Sequence, residues 1–295
     1  MKNKLTYSLL LLAGVGLLLW MVLPRLLVPE PTKQGFTAYR MVAHAMGGID
    51  ELTYTNSYEA FVVNYEKGLR VFEVDLLLSS DNKLVARHEW GQGFTQMLGQ
   101  QETIEEELQG AVWSHNEFKE AKIKGEYEPL DWADIVELME LYPDVYIVTD
   151  TKQTTPEEIQ EIFTQIVEQT KERQPELLKR VVPQIYNRDM WEPVQAIYPF
   201  DSVIFTLYQT HETDKEVVQF AKEKQIAAIT MSETRANAGL IADLKRVGVV
   251  SYVHTINDPE LIAKFQRMGA YGFYTDFLAE EDIAENAGWF SNWLP

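Results

Sequence analysis

The stretch "VFEVDLLLSSDNKLVARHEW", residues 71–90, decides how the chain is read. Val71 to Leu78 is β-branched and apolar, Leu84 to Arg87 is a second short run, and Asp81-Asn82 between them suits a two-residue type I′ hairpin turn. That turn pairs Ser80 with Lys83 and sets Asp75 opposite His88. Opposed side chains in an antiparallel ladder lie roughly 5 Å apart at Cβ, and the period of two puts Glu73, Asp75 and His88 on one face. Two carboxylates and an imidazole then converge through backbone geometry alone. A solvent-facing charged stripe on a half-buried hairpin is the competing reading, so the rest of the chain must decide.

Outward from the hairpin, strand-like runs alternate with helical patterns. Strands are predicted near 41–44, 71–76, 145–149, 181–185, 202–207, 227–230, 249–253 and 272–275. Between them lie amphipathic segments such as "NSYEAFVVNYEKG", "TPEEIQEIFTQIVEQTKER" and "DPELIAKFQRMG", several opening on a capping residue and closing on Gly or Pro. Eight strands alternating with helices imply an α/β (β/α)8 TIM barrel, with the β-hairpin after strand two. The acidic stretch from Gly91 to Tyr127 reads as a partly helical insertion.

The chain has 295 residues and a formal charge of -19; from Glu30 onward there are 23 basic against 45 acidic residues. Such a surface repels polyanions, which argues against nucleic acid as a partner, and it suits a divalent cation. Cysteine is absent, which excludes thiolate metal sites and thiol nucleophiles. Residues 5–28 are almost wholly apolar and long enough to cross a bilayer as one transmembrane helix. Lys2 and Lys4 precede them, which leaves the amino terminus cytoplasmic and the remainder extracytoplasmic. "LPRLLVPEPTK" offers no small-x-small cleavage site, favouring a retained single-pass anchor over a cleaved signal peptide. The expected organisation is an anchor over 1–30, a linker over 31–40 and the barrel over 41–295. The tail "GWFSNWLP" either dips into an interface or caps the barrel floor.

In a (β/α)8 barrel the chemistry sits at the carboxyl ends of the strands. Those ends carry His44, Glu73, Asp75, Asp150, Lys152 and His254, with His88 on the returning hairpin arm. Three carboxylates without thiols make a hard oxygen site suited to Ca²⁺ or Mg²⁺. Two imidazoles can exchange protons near neutral pH, and Lys152 can hold a phosphate as a point charge. His115 and His211 pair with nothing in this set, while Arg87 and Glu89 should face away from it.

"VAHAMGG", "TNSYEAF", "GLRVFEVDLLLSSDNKLVARHEW", "VYIVTDTK" and "VHTINDPELIAKFQRMGAYGFYTDF" resemble the successive motifs of the glycerophosphodiester phosphodiesterases, within the superfamily of phospholipase C-like phosphodiesterases. The resemblance implies that His44 and His88 are the catalytic pair and that Glu73, Asp75 and Asp150 ligate the metal; Lys152, Asn56 and His254 are expected to contact substrate. The chain departs from the family at the usual His-Arg-Gly, here His44-Ala45-Met46-Gly47, at Thr55-Asn56-Ser57 in place of Glu-Asn-Thr, and at His254 in place of Trp. Asp150-x-Lys152 is closer to the sphingomyelinase D branch. The resulting expectation is a membrane-anchored, metal-dependent phosphodiesterase acting on glycerophosphodiester-type substrates. A catalytically inactive barrel serving as a cell-surface binding protein is the alternative, motivated by the lost arginine.

Overall fold

The structure, a computed structural model, describes residues 33–283. The apolar run 5–28 and the aromatic tail from residue 288 lie outside the described residues. Among the described residues, no helix is long and apolar enough to cross a membrane.

Nine strands run in the order β1 (Met41–Ala43), β2 (Val71–Leu78), β3 (Leu84–Ala86), β4 (Tyr146–Asp150), β5 (Val181–Ile185), β6 (Ile204–Thr206), β7 (Ala228–Ser232), β8 (Val250–His254) and β9 (Gly272–Thr275). All except β3 pair in parallel, and β1 bonds both β9 and β2, closing an eight-stranded barrel. Helices fill the crossovers, as in a TIM barrel. Their ends follow ordinary capping chemistry. Asp258 accepts from the Glu260 amide ahead of Pro259, and that helix stops at Gly269 with φ +100°.

Period-two alternation sorts the strand residues into two environments. Phe72, Val74, Ile147, Val181, Phe205, Ile229, Val253 and Phe273 point outward and pack beneath the helices. Val42, Val71, Val148, Val182, Ile204, Ala228 and Val250 point inward and fill the lower barrel, where Phe36 from the preceding 3₁₀ turn plugs the floor against Tyr252. One step further along the same strands, the inward positions become polar: Glu73, Asp75, Asp150, Gln184, Thr206, Thr230 and His254. The barrel interior is therefore apolar below and chemical above.

The hairpin corrects the sequence reading by one residue. Leu76 opposes Ala86, and Leu78 opposes Leu84, so Asp75 stands opposite Arg87, whose amide donates to the Asp75 carbonyl at 2.9 Å. The cause lies in the turn. Ser80-Asp81-Asn82 forms a three-residue loop in which Asn82 takes φ +62°, and Ser79 binds both the Lys83 amide and the Asp81 carboxylate through its hydroxyl. His88 enters the site from the segment just past the ladder rather than from a directly opposed position.

The insertion over 91–127 contains the helices Gln92–Met97 and His115–Glu120. It builds a small core of Val85, Trp113, Phe118 and Ala121 beside the barrel. Arg87 is buried within it, donating to Gln100 Oε1 (2.8 Å), Thr95 Oγ1 (3.1 Å) and the Glu89 carbonyl (2.7 Å) and lying over the Trp113 ring. Its role is structural, although the observed register sets it opposite Asp75 rather than on the other face: past the end of the ladder its side chain lies in the core of the insertion.

Candidate active site

A cavity of about 470 Å³ opens at the carboxyl ends of the strands, lined by His44, Glu73, Asp75, His88, Asp150, Lys152 and His254 among others. Seven of the eight residues expected from the sequence thus share one wall system. The eighth, Asn56, is fully buried behind Asp75. It donates through Nδ2 to Asp75 Oδ2 at 3.0 Å and accepts the Asp75 amide at 3.1 Å, so it steadies the carboxylate rather than meeting the cavity.

Glu73, Asp75 and Asp150 each offer an oxygen within 4.8 Å of the others. Glu73 is buried and accepts from the Ala45 amide at 2.7 Å; burial first, and the charge of Asp75 second, push its carboxyl well above the usual range. Burial and Asp75 likewise push Asp150 up to about 6. Asp75 goes the other way. Burial opposes its ionisation, but the Lys152 ammonium, 2.7 Å away, together with His88 and His44 outweighs burial and holds the carboxyl below its ordinary value. Three crowded hard oxygen donors, two of them harder to ionise because of burial and the charge of their neighbours, fit a divalent cation. Lys152 also donates to the His88 carbonyl at 3.0 Å and approaches Asp150 Oδ2 at 3.9 Å.

Three residues that sequence reasoning left unassigned organise this set. Asp276 accepts from His44 Nδ1 at 2.9 Å, and Asn257 holds Asp276 in turn at 2.6 Å. Burial disfavours a charged His44, but the Asp276 hydrogen bond and then Glu73 and Asp75 outweigh it, raising the imidazole to about 9. The signal was present: Tyr274 points inward, so Asp276, two residues on, returns to the same side. Tyr186, the residue after β5, donates to Asp150 through its hydroxyl, which also accepts the Lys152 amide at 2.9 Å.

His88 packs flat against Phe94 at 5.5 Å and is lowered mainly by burial, with Asp75 opposing. Between the two imidazoles stands Tyr54, edge-on to both. His254 lies across the cavity between Tyr208 and Tyr274; burial first, then His44, bring it down to about 4, so it is neutral at physiological pH. His115 is remote from all of these and pairs with Asp131 at 2.7 Å.

The family model for the glycerophosphoryl diester phosphodiesterase family matches residues 42–280. The chain belongs to this family. Its membership makes it a phosphoric diester hydrolase by class, in agreement with the sequence reading. Among solved structures, the chain is similar to a glycerophosphodiester phosphodiesterase from Parabacteroides distasonis, with TM-score 0.67 at 19% identity, covering 85% of this chain and 98% of that one. It is similar also to an Oleispira antarctica phosphodiesterase solved in complex with the product sn-glycerol-3-phosphate, with TM-score 0.67 at 16% identity over 86% and 100% of the two chains. A third, the enzyme from Thermotoga maritima, gives TM-score 0.58 at 19% identity over 83% and 96%. At these identities the structural likeness shows a shared fold. No match was found among curated protein sequences.

Proposed function

We propose that the chain is a divalent-cation-dependent phosphodiesterase that cleaves glycerophosphodiester-type substrates outside the cytoplasmic membrane, with His44 and His88 exchanging the protons. The observation that carries this reading is the placement of both imidazoles and three mutually close carboxylates around a single cavity. The product complex of the Oleispira antarctica relative supports a glycerol phosphate ester as the substrate class.

Glu73, Asp75 and Asp150 would hold Ca²⁺ or Mg²⁺, which when bound supplies positive charge against the charge that develops on the phosphoryl oxygens. Asp276 engages Nδ1 of His44, which leaves Nε2 as the nitrogen able to take a proton. His44 and His88 divide the two proton transfers: one activates water or a neighbouring substrate hydroxyl, and the other donates to the departing alcohol. Lys152 contributes a point charge to the phosphate, and His254 a neutral polar contact to the leaving group.

The apolar run 5–28 is read as a single-pass anchor, residues 31–40 as a linker, and 41–295 as the extracytoplasmic barrel. Phe36 and the start of β1 lie at the floor, opposite the cavity. A chain tethered there directs its site away from the bilayer, favouring released headgroups, wall polymers or lysophospholipids over embedded lipids. The full chain in detergent, incubated with glycerophosphodiesters and lysophospholipids in Ca²⁺, Mg²⁺ or chelator, tests the reading by ³¹P NMR. Chelator-sensitive product, absent for His88→Ala, is expected. No turnover together with no ion binding would instead favour the inactive-barrel alternative.

A further inference from the structure

Tyr54 makes contacts that the roles assigned above do not use. Its ring meets His44 at 4.6 Å between centroids and 81° between planes, and His88 at 4.8 Å and 69°. The backbone that holds it there is costly. Tyr54 has φ +59°, and Asp50, Glu51 and Asn56 have φ +46°, +66° and +45°, a run of left-handed non-glycine residues that persists only where the surroundings over-determine it.

Those surroundings are specific. The Asn56 amide donates to the Ala45 carbonyl at 3.1 Å while its side chain is locked on Asp75. At the other end of the loop, Ile49 and Leu52 exchange backbone hydrogen bonds, and Asp50 accepts from the Tyr127 hydroxyl at 2.5 Å. The loop is clamped on both sides of Tyr54, which fixes the ring between the imidazoles.

The Tyr54 hydroxyl makes no hydrogen bond to any described residue, yet it feels the fields of Asp276, Asp75, Glu73 and Asp150. Burial, reinforced by these carboxylates, holds its proton on, so it is a neutral donor beside the acidic centre. The neighbouring wall offers no Lys or Arg. Ala45 ends in a buried methyl, and Lys152, the one Lys or Arg lining the cavity among the described residues, sits across the site on Asp75 and the His88 carbonyl.

We propose that Tyr54 is a substrate-contacting residue: its hydroxyl donates a hydrogen bond to a non-bridging oxygen of the phosphodiester held between His44 and His88. The proposal rests on the phosphodiesterase reading above. A phosphoryl group between the two imidazoles places an oxygen toward the loop that carries Tyr54, where this hydroxyl is the available donor. A charged acceptor makes such a bond stronger than a neutral pair, and the ring holds the donor in place without loss of side-chain freedom on binding.

Tyr54→Phe keeps the ring and removes the donor. The full-length variant and wild type are compared in divalent-ion binding, in affinity for inorganic phosphate with Mg²⁺ present, and in turnover of a glycerophosphodiester. The expected result is unchanged ion affinity and unchanged His44 and His88 imidazole resonances, with phosphate affinity and kcat/KM each lower by about 10- to 100-fold. Phosphate affinity and turnover within twofold of wild type would overturn the role of Tyr54 while leaving the phosphodiesterase reading intact. Wild-type protein that neither binds ion nor turns over substrate would defeat that reading, and with it this one. A loss of ion binding in Tyr54→Phe would also overturn the proposal, because it would place the defect in the carboxylates.

Discussion

With no divalent ion bound, the repulsion built into the Glu73, Asp75 and Asp150 cluster is unrelieved, and its effect on stability has a definite sign. In the ion-free protein Asp150, faced by Asp75, Lys152, Tyr186 and His44, titrates at about 6 rather than 3.8. Glu73, faced by Asp75, His44 and Asp150, is also raised. Raised carboxyls mean that the folded state binds more protons than the unfolded chain above about pH 4. The Asp150 contribution is therefore complete below pH 4 and is lost as pH rises through about 6, and that of Glu73 is lost in the same direction. His44, raised to about 9, acts in the same direction, its contribution complete below its ordinary value of 6.5 and lost as pH climbs towards 9. Asp75, lowered by Lys152, opposes them, contributing above its ordinary value and losing that contribution as pH falls. The Asp150 displacement alone corresponds to at most about 3 kcal/mol. Only about 1 kcal/mol of this falls between pH 5.5 and pH 7.5, and a domain of this size loses about 2–4 °C of Tm per kcal/mol, so Asp150 alone should make the chelated protein melt about 2–4 °C lower at pH 7.5 than at pH 5.5. An ion at a hundred times its Kd restores about 2.7 kcal/mol, and it should do so at pH 7.5 more than at pH 5.5, where protons must be displaced. Glu73→Gln removes one of the crowded charges. It should raise the Tm of the chelated protein at pH 7.5 and abolish the response to ion. Differential scanning fluorimetry at the two pH values, with chelator or with Ca²⁺ or Mg²⁺, reads all of this. An ion response of equal size at both pH values, or a Glu73→Gln protein less stable than wild type in chelator, would refute the reasoning.

Three further outcomes follow from the geometry. Asp276→Asn keeps the volume beside His44 but removes the carboxylate that orients it, so kcat for a chromogenic phosphodiester should fall about 100-fold or more with little change in KM. Arg87→Ala leaves Gln100 Oε1 and Thr95 Oγ1 without their donor inside the insertion's core, and urea unfolding should show a loss of about 3–5 kcal/mol. Gly272→Ala would place a methyl 2.3 Å from the Arg40 carbonyl oxygen and 2.6 Å from the Tyr252 ring, and the same measurement should register a loss of about 1–3 kcal/mol.

Strand positions were legible because each barrel strand is a compact apolar run between capped helices, and every predicted strand coincides with an observed one to within two or three residues. The inward set at the strand ends was legible for the same reason, since alternation along β2 alone brings Glu73 and Asp75 to one side. The hairpin register was not. It depends on Asn82 entering the left-handed region and on the Ser79 hydroxyl bracing a three-residue loop, both of which a two-residue Asp-Asn turn also fits by composition. Asp276 was within reach of the rule that found His254, because it lies one period beyond the inward Tyr274. Tyr54 was not within reach, because no periodic pattern announces a loop of left-handed non-glycine residues. The structural role of Arg87 was read from the wrong register: the observed pairing sets it opposite Asp75, and its burial among Trp113, Thr95 and Gln100 depends on an insertion with no regular repeat.

The inward and outward alternation of β2 also bears on how such a chain can diversify. Inserting or deleting one residue within Val71–Leu78 would exchange its two faces, sending Glu73 and Asp75 into the oily seam under the helices and Phe72 and Val74 into the cavity. Point substitutions there can be sampled one at a time, but a change of length destroys wall and chemistry together. Variation in length is therefore confined to segments where phase carries no meaning, such as the 79–83 turn and the 91–127 insertion. The barrel strands behave as a reading frame, and changes of length belong at its margins.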